Sequence, residues 1–216
     1  MSTTSTKPKG ATSYKETAFG ILSRKKLLQR EIEGTKKGLD FISGLINKNK
    51  QIAITSELIY TLHDVSFGWI FPDWAGKYRK IQVTLSGKEA PLYFQVPELM
   101  AALCKDLSER LKHVPAAKNE NFILEVVRLL AWFQHRFVFI HPFQDYNGRT
   151  ARMLTQLLLL KFDLPAVEIQ VETIGQRKQY IQALQTGDDG DLSKLEDILN
   201  QTLTEGLEQF ISNKSK

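Results

Sequence analysis

Residues 141–152 read HPFQDYNGRTAR and join two apolar runs, FILEVVRLLAWFQHRFVFI at 122–140 and TARMLTQLLLLKF at 150–162. Both runs repeat their apolar residues at helical spacing, so each is expected to be a core helix. Asn147-Gly148 is a loop signal and Arg149 resumes the helical period, so the joint feeds into a helix N-terminus. The amides there lack intrahelical acceptors and sit at the positive end of the helix dipole, which makes an anion site. Gly148 leaves room for a phosphate beside the backbone. Arg149 and Arg152, three apart, project from one side of the first turn, and their two guanidinium forks suit a polyphosphate. Basic side chains oppose the dipole at that end, so stability alone does not explain them. Asp145 is a hard oxygen ligand suited to Mg2+ held jointly with phosphates. His141 is the natural general base near neutral pH. Phe143 is expected to anchor the loop and Pro142 to stiffen it. Together these parts point to nucleotidyl or phosphoryl transfer.

The stretch resembles the signature of the Fic family, HPFx(D/E)GNGRxxR, with Tyr146 standing where the family usually has its first glycine. FPDWAGKYRKIQV at 71–83 resembles the family's WAGxYR segment and the flap strand after it. RKQYIQAL at 177–184 and GDDGDLSKLEDIL at 187–199 resemble its C-terminal helices. The resemblance runs from about Ser56 to the C-terminus. It implies an all-α fold, a Fic-type helical bundle with a small β-hairpin flap. It also implies an activity: transfer of AMP from Mg2+-bound ATP to a Ser, Thr or Tyr hydroxyl of a protein, with release of pyrophosphate.

Carried over by position, the resemblance makes His141 the base and Asp145 the metal ligand. The backbone at Asn147 and Gly148 contributes to the anion hole, Asn147 holds the α-phosphate region, and Arg149 and Arg152 bind the β- and γ-phosphates. Tyr180 is expected to help line the base pocket. The related Doc branch has lysine at the position of Gly148 and transfers phosphate, so Gly148 favours AMP transfer. Two alternatives stay open: removal of AMP or transfer from another nucleotide, and a non-catalytic Fic-fold binding or regulatory module.

Tyr146 is expected at an ordinary φ, with its N–H aimed at the phosphate and its ring lining or narrowing the pocket. The other reading places it at φ > 0, where a tyrosine is strained by about 1 kcal/mol or more.

The chain has 216 residues, 42% of them hydrophobic, enough for one sizeable core. No apolar run approaches the roughly 20 residues that span a bilayer. Neither a signal peptide nor a membrane partner is expected. Cys104 is the only cysteine, so no intrachain disulfide can form and a cytoplasmic location is expected. Residues 1–50 hold 11 Lys/Arg against 4 Asp/Glu, and the rest of the chain 18 against 20. The catalytic part is thus near neutral and lacks the basic stripe of a nucleic-acid groove.

Residues 1–13, MSTTSTKPKGATS, read as a disordered tail. Residues 14–48 form an N-terminal helical segment, interrupted near Gly34 and Gly38, and residues 50–212 the Fic-type domain before a short tail at 213–216. Many Fic proteins carry an inhibitory helix with the motif (S/T)xxxE(G/N). Glu33-Gly34 matches its end, with Gln29 at the Ser/Thr position. By that resemblance Glu33 would pair with Arg152 and crowd the γ-phosphate. His63, on a helix at 50–64, is read as structural, and Arg79 as supporting either the loop or the flap. Residues 80–85 and 92–96 are expected to be the two strands of a hairpin around a turn at 86–91. In the family this flap pairs with an extended segment of the target protein. Further helices are expected at 97–112, 121–140, 174–186 and 191–212, with an extended stretch at 166–171. A homodimer is left open.

Overall fold

In the computed structural model of the protein, the described residues are 15–85 and 88–214. The expected N-terminal tail and the tip of the flap, Ser86-Gly87, lie outside them. Seven helices account for most of the described chain: α1 Arg24–Lys48, α2 Ser56–Phe67, α3 Val96–His113, α4 Phe122–Ile140, α5 Asn147–Lys161, α6 Ile174–Asp188 and α7 Ser193–Lys214. Two antiparallel hairpins add β1 Lys15–Thr17 with β2 Gly20–Leu22, and β3 Thr84–Leu85 with β4 Lys88–Glu89.

α4 is the axis of the bundle and packs against α3, α5, α6 and α7. Phe133 and Phe137 on α4 are fully buried, as the apolar run at 122–140 requires. α1 lies across α2 and α5. Contrary to expectation it runs unbroken through Gly34 and Gly38. Those glycines are there for packing: a Cβ at Gly34 would run into the Ser66 carbonyl, and one at Gly38 into the Ser66 hydroxyl and the Met153 sulfur. Glycine weakens a helix interior by about 0.5–1 kcal/mol, and the close approach of α1 to α2 offsets that.

The flap also departs from the expected register. β4 is Lys88–Glu89, and residues 93–95 form a 3-10 turn leading into α3. The hairpin holds only two residue pairs, Thr84 with Glu89 and Leu85 with Lys88. It is extended by the amide of Ala90 on the Val83 carbonyl (3.1 Å) and by the Gln82 side chain on the Ala90 carbonyl (2.6 Å). α7 runs two residues past the expected boundary at 212.

Candidate active site

The loop between α4 and α5 carries the site. α4 ends at His141 in a left-handed conformation (φ 50°, ψ 60°), which turns the chain sharply out of the helix. The His141 amide still caps the Phe137 carbonyl. Nδ1 lies 3.3 Å from the carbonyl oxygen of Val138. A carbonyl only accepts, so Nδ1 carries the proton and Nε2 keeps its lone pair. Burial pushes the His141 pKa down to about 4, with the nearby Arg79 charge acting in the same direction. At neutral pH the ring is therefore a free base. It borders a cavity of about 510 Å3 that is also lined by Gly148, Tyr180, flap residues Thr84–Leu85 and Lys88–Ala90, and the α6 residues Ile181, Leu184, Gln185 and Asp188.

α5 starts at Asn147, and its first helical hydrogen bond runs from the Thr150 amide to the Tyr146 carbonyl. The amides of Asn147, Gly148 and Arg149 precede that bond, as an anion site at a helix N-terminus requires. The Asn147 side chain faces inward: Oδ1 accepts from the Phe143 amide and Nδ2 donates to the Phe143 carbonyl, both at 2.8 Å. It shapes the loop, and its backbone is what remains for a phosphate. Gly148 lines the cavity, and a Cβ there would make only ordinary contact, 3.6 Å from Arg152. Asp145 is half-buried, and its Oδ1 accepts from the Tyr146 amide at 2.7 Å.

Tyr146 does not sit as expected. Its φ is 59°, the left-handed region, so the strained alternative is the observed one. Its ring does not line the cavity. It is buried and stacked on Phe67 (4.3 Å between centroids) and Trp74 (6.0 Å). The backbone strain, about 1 kcal/mol or more, is offset by this aromatic packing and by a hydrogen bond from the phenol to Glu31 Oε1, at 2.7 Å. Burial and the Glu31 carboxylate hold the phenol well above its ordinary pKa, so it stays a donor.

Glu31, not Glu33, is the acidic residue that reaches the site. Its second oxygen takes a 2.7 Å ion pair from Arg149. Arg24 pairs with the first at 3.0 Å. Burial alone would raise the Glu31 pKa, but the Tyr146 hydrogen bond and the Arg149 and Arg24 charges outweigh it and hold the carboxyl below its usual range. Glu33 faces away, engaged by Arg30 (3.3 Å) and Lys37 (3.7 Å) on the solvent side of α1. The helix period carried the signal. Leu27, Glu31, Gly34, Gly38 and Ile42 form one buried stripe, and Glu33, two residues on, turns about 200° from Glu31. Arg152 donates to the Gly148 carbonyl at 3.1 Å, and its Nε lies 3.5 Å from Glu168.

Tyr180 contributes its ring to the cavity wall, and its hydroxyl receives the Gln134 amide, which Thr155 in turn bonds at 2.7 Å. His135 also borders the cavity, with Nε2 3.1 Å from Asp188. Asp188 also meets Lys88 of β4 at 3.2 Å and so ties the flap to α6. Arg79 serves both the loop and the flap. Nε donates to the His141 carbonyl at 2.8 Å, Nη1 to Ile81 at 2.9 Å and Nη2 to Pro91, while its amide bonds Pro142.

Residues 53–159 match the model of the Fic/DOC family. A protein adenylyltransferase Fic of Culex quinquefasciatus is 31% identical over 163 residues, 75% of this chain and 30% of that protein. The chain thus spans less than a third of the length of that curated relative. The structure of Fic-1 from C. elegans is similar with a TM-score of 0.65 and 25% identity, covering 86% of this chain and 52% of that one. A Fic domain containing signaling protein from Bacteroides thetaiotaomicron gives 0.69 at 21% identity, covering 83% of this chain and 70% of that one. From the family match and the relative 31% identical over three quarters of its length, the chain belongs to the Fic/DOC family.

Proposed function

We propose that the protein transfers AMP from Mg-ATP to a hydroxyl group of a target protein. The observation that carries this reading is the His141 ring: its Nδ1 is tethered to Val138, its Nε2 is unprotonated, and the residue borders the cavity beside the N-terminus of α5. The names of the curated relatives point the same way.

In this reading the triphosphate lies against the amides of Asn147, Gly148 and Arg149, with Arg152 and Arg149 balancing its charge. The adenosine enters the cavity under the flap, against Tyr180. An acceptor Ser, Thr or Tyr, presented by a target strand paired to the flap, brings its oxygen to the α-phosphorus. His141 Nε2 takes the hydroxyl proton, the new P–O bond forms, and the bond to the β-phosphate oxygen breaks to release pyrophosphate. Most of the rate comes from positioning and charge stabilisation. Among the described residues no three or more His, Cys, Asp or Glu cluster as a metal cage. The single carboxylate of Asp145 therefore fits Mg2+ that arrives with the nucleotide. That ion supplies charge neutralisation on the phosphates.

In this reading the Glu31–Arg149 ion pair is a resting arrangement that keeps one arginine from the phosphates. The test is incubation with α-labelled ATP and lysate proteins. Label on a protein acceptor, lost in His141→Ala, supports the reading. No label even after removal of Glu31 sinks it, and so does label that persists in His141→Ala.

A further inference from the structure

His63 takes no part in the chemistry above, yet it touches the active loop at two points. It lies on α2, fully buried. Its Nδ1 accepts the amide hydrogen of Gly76 at 2.9 Å. Its Nε2 lies 3.1 Å from the backbone carbonyl of Asp145. An amide can only donate and a carbonyl only accept, so both contacts demand one tautomer, with the proton on Nε2. The ring stacks on Phe143 of the loop, 3.8 Å between centroids and 25° between planes. Phe67 packs edge-on against it at 5.3 Å.

These contacts are the polar link between the turn and the loop, which also meet through the Phe71 and Trp74 rings on Tyr146. Gly76 ends the turn 71–76 in a left-handed conformation (φ 69°), where a side chain would strike Asp64. On the loop side, the Asp145 carbonyl belongs to the same peptide plane as the Tyr146 amide, and that amide is held by the Asp145 carboxylate. Fixing the carbonyl therefore fixes the direction of the amide, the place of the carboxylate and the left-handed turn from which α5 starts.

We infer that His63 is a positioning residue for the reaction: its imidazole, protonated on Nε2, sets the Asp145–Tyr146 peptide and thereby the metal-binding carboxylate and the phosphate-binding amides. This rests on the adenylyl-transfer reading for its kinetic consequence, but not for its structural one. The residue lies outside the nucleotide cavity, so its loss should act on turnover more than on substrate binding.

Two variants separate positioning from packing. His63→Phe keeps an aromatic ring against Phe143 and deletes both polar contacts. His63→Gln supplies one acceptor and one donor on a flexible arm. Misplacing a reacting group by about 1 Å can cost on the order of 100-fold in rate. For His63→Phe we expect kcat for AMP transfer to fall about 10- to 100-fold while KM for ATP changes less than about threefold, with His63→Gln recovering a large part of kcat. In wild-type protein, 15N NMR of the ring at pH 7 should give the neutral tautomer protonated on Nε2. Three results would overturn the inference: a ring protonated on Nδ1 or on both nitrogens, wild-type kcat in His63→Phe, or equal loss in both variants with equal loss of thermal stability. The NMR readout needs no turnover, so a failure of the transfer reading is seen separately, as an inactive wild-type protein with the expected tautomer.

Discussion

The Tyr146 hydroxyl donates to the same carboxylate, that of Glu31, that holds the Arg149 guanidinium. Tyr146 and Arg149 thus share one acidic partner, delivered from α1. Replacing Glu31 by alanine should have opposite effects on stability and function. Arg149 is released to the phosphates, which should tighten ATP binding about tenfold, the equivalent of one charge-assisted hydrogen bond of about 1.5 kcal/mol. The buried phenol and guanidinium lose their partner, so stability should drop by about 2–4 kcal/mol. Calorimetric titration with ATP and urea unfolding check the two halves.

Glu33→Ala provides the contrast. Its carboxylate sits among Arg30 and Lys37 at the surface, and exposed pairs of this kind contribute about 0–1 kcal/mol. Transfer rate and ATP affinity should both stay within about twofold of wild type. An increase in transfer matching that of Glu31→Ala would mean that α1 can present the other carboxylate to the site.

The His141 pKa of about 4 makes a kinetic prediction. The acid limb of kcat/KM reports the free enzyme's base. Since only the neutral ring can take a proton, activity should hold as the pH drops through 6.5, where an ordinary histidine titrates, and fall only as it nears 4. A limb centred near 6.5 would mean that the base is better solvated than the structure has it.

His63 affects stability in the same window. Its pKa is pushed down to about 4 by burial, whereas in the unfolded chain it is about 6.5. Between those values the unfolded chain binds a proton that the folded chain refuses. The contribution is therefore fully present above about pH 6.5 and is lost as the pH falls toward 4. From pH 6.5 to 5 the loss from this one group is on the order of 2 kcal/mol. Urea unfolding at a series of pH values should reveal it, with a correspondingly shallower slope in His63→Gln.

Arg79→Lys should disable the site without touching the cavity wall. The guanidinium spans carbonyls of the loop and of both flap strands' ends, a geometry that one ammonium cannot copy. Transfer should fall about 10- to 100-fold, and hydrogen exchange across residues 81–91 should quicken.

Much of this was legible in the sequence because it was local. The apolar periods marked α4 and α5, and the residue types of 141–152 singled out the loop that borders the cavity. What escaped depended on contacts distant along the chain. Tyr146 accepts φ 59° because Phe67 and Trp74 stack on its ring and Glu31 takes its hydroxyl, and none of these is near it in sequence. Motif position points to Glu33, whereas the buried stripe of α1 selects Glu31. His63 was set aside as structural because its two partners, Gly76 and Asp145, belong to different turns. The flap's second strand was placed too late because residues 92–96 alternate like a strand, yet Pro97 and the α3 helix draw that stretch into a helical turn.

The bare backbone of Gly34 against Ser66 gives this arrangement a mechanical side. With no atom to spare between the two helices, α1 works as a lever resting on a fulcrum, and Glu31 sits one turn from the pivot. A single methyl group inserted there would act as a wedge, lifting the carboxylate from phenol and guanidinium together. Gly34→Ala, a change nowhere near the nucleotide, should thus mimic the removal of Glu31.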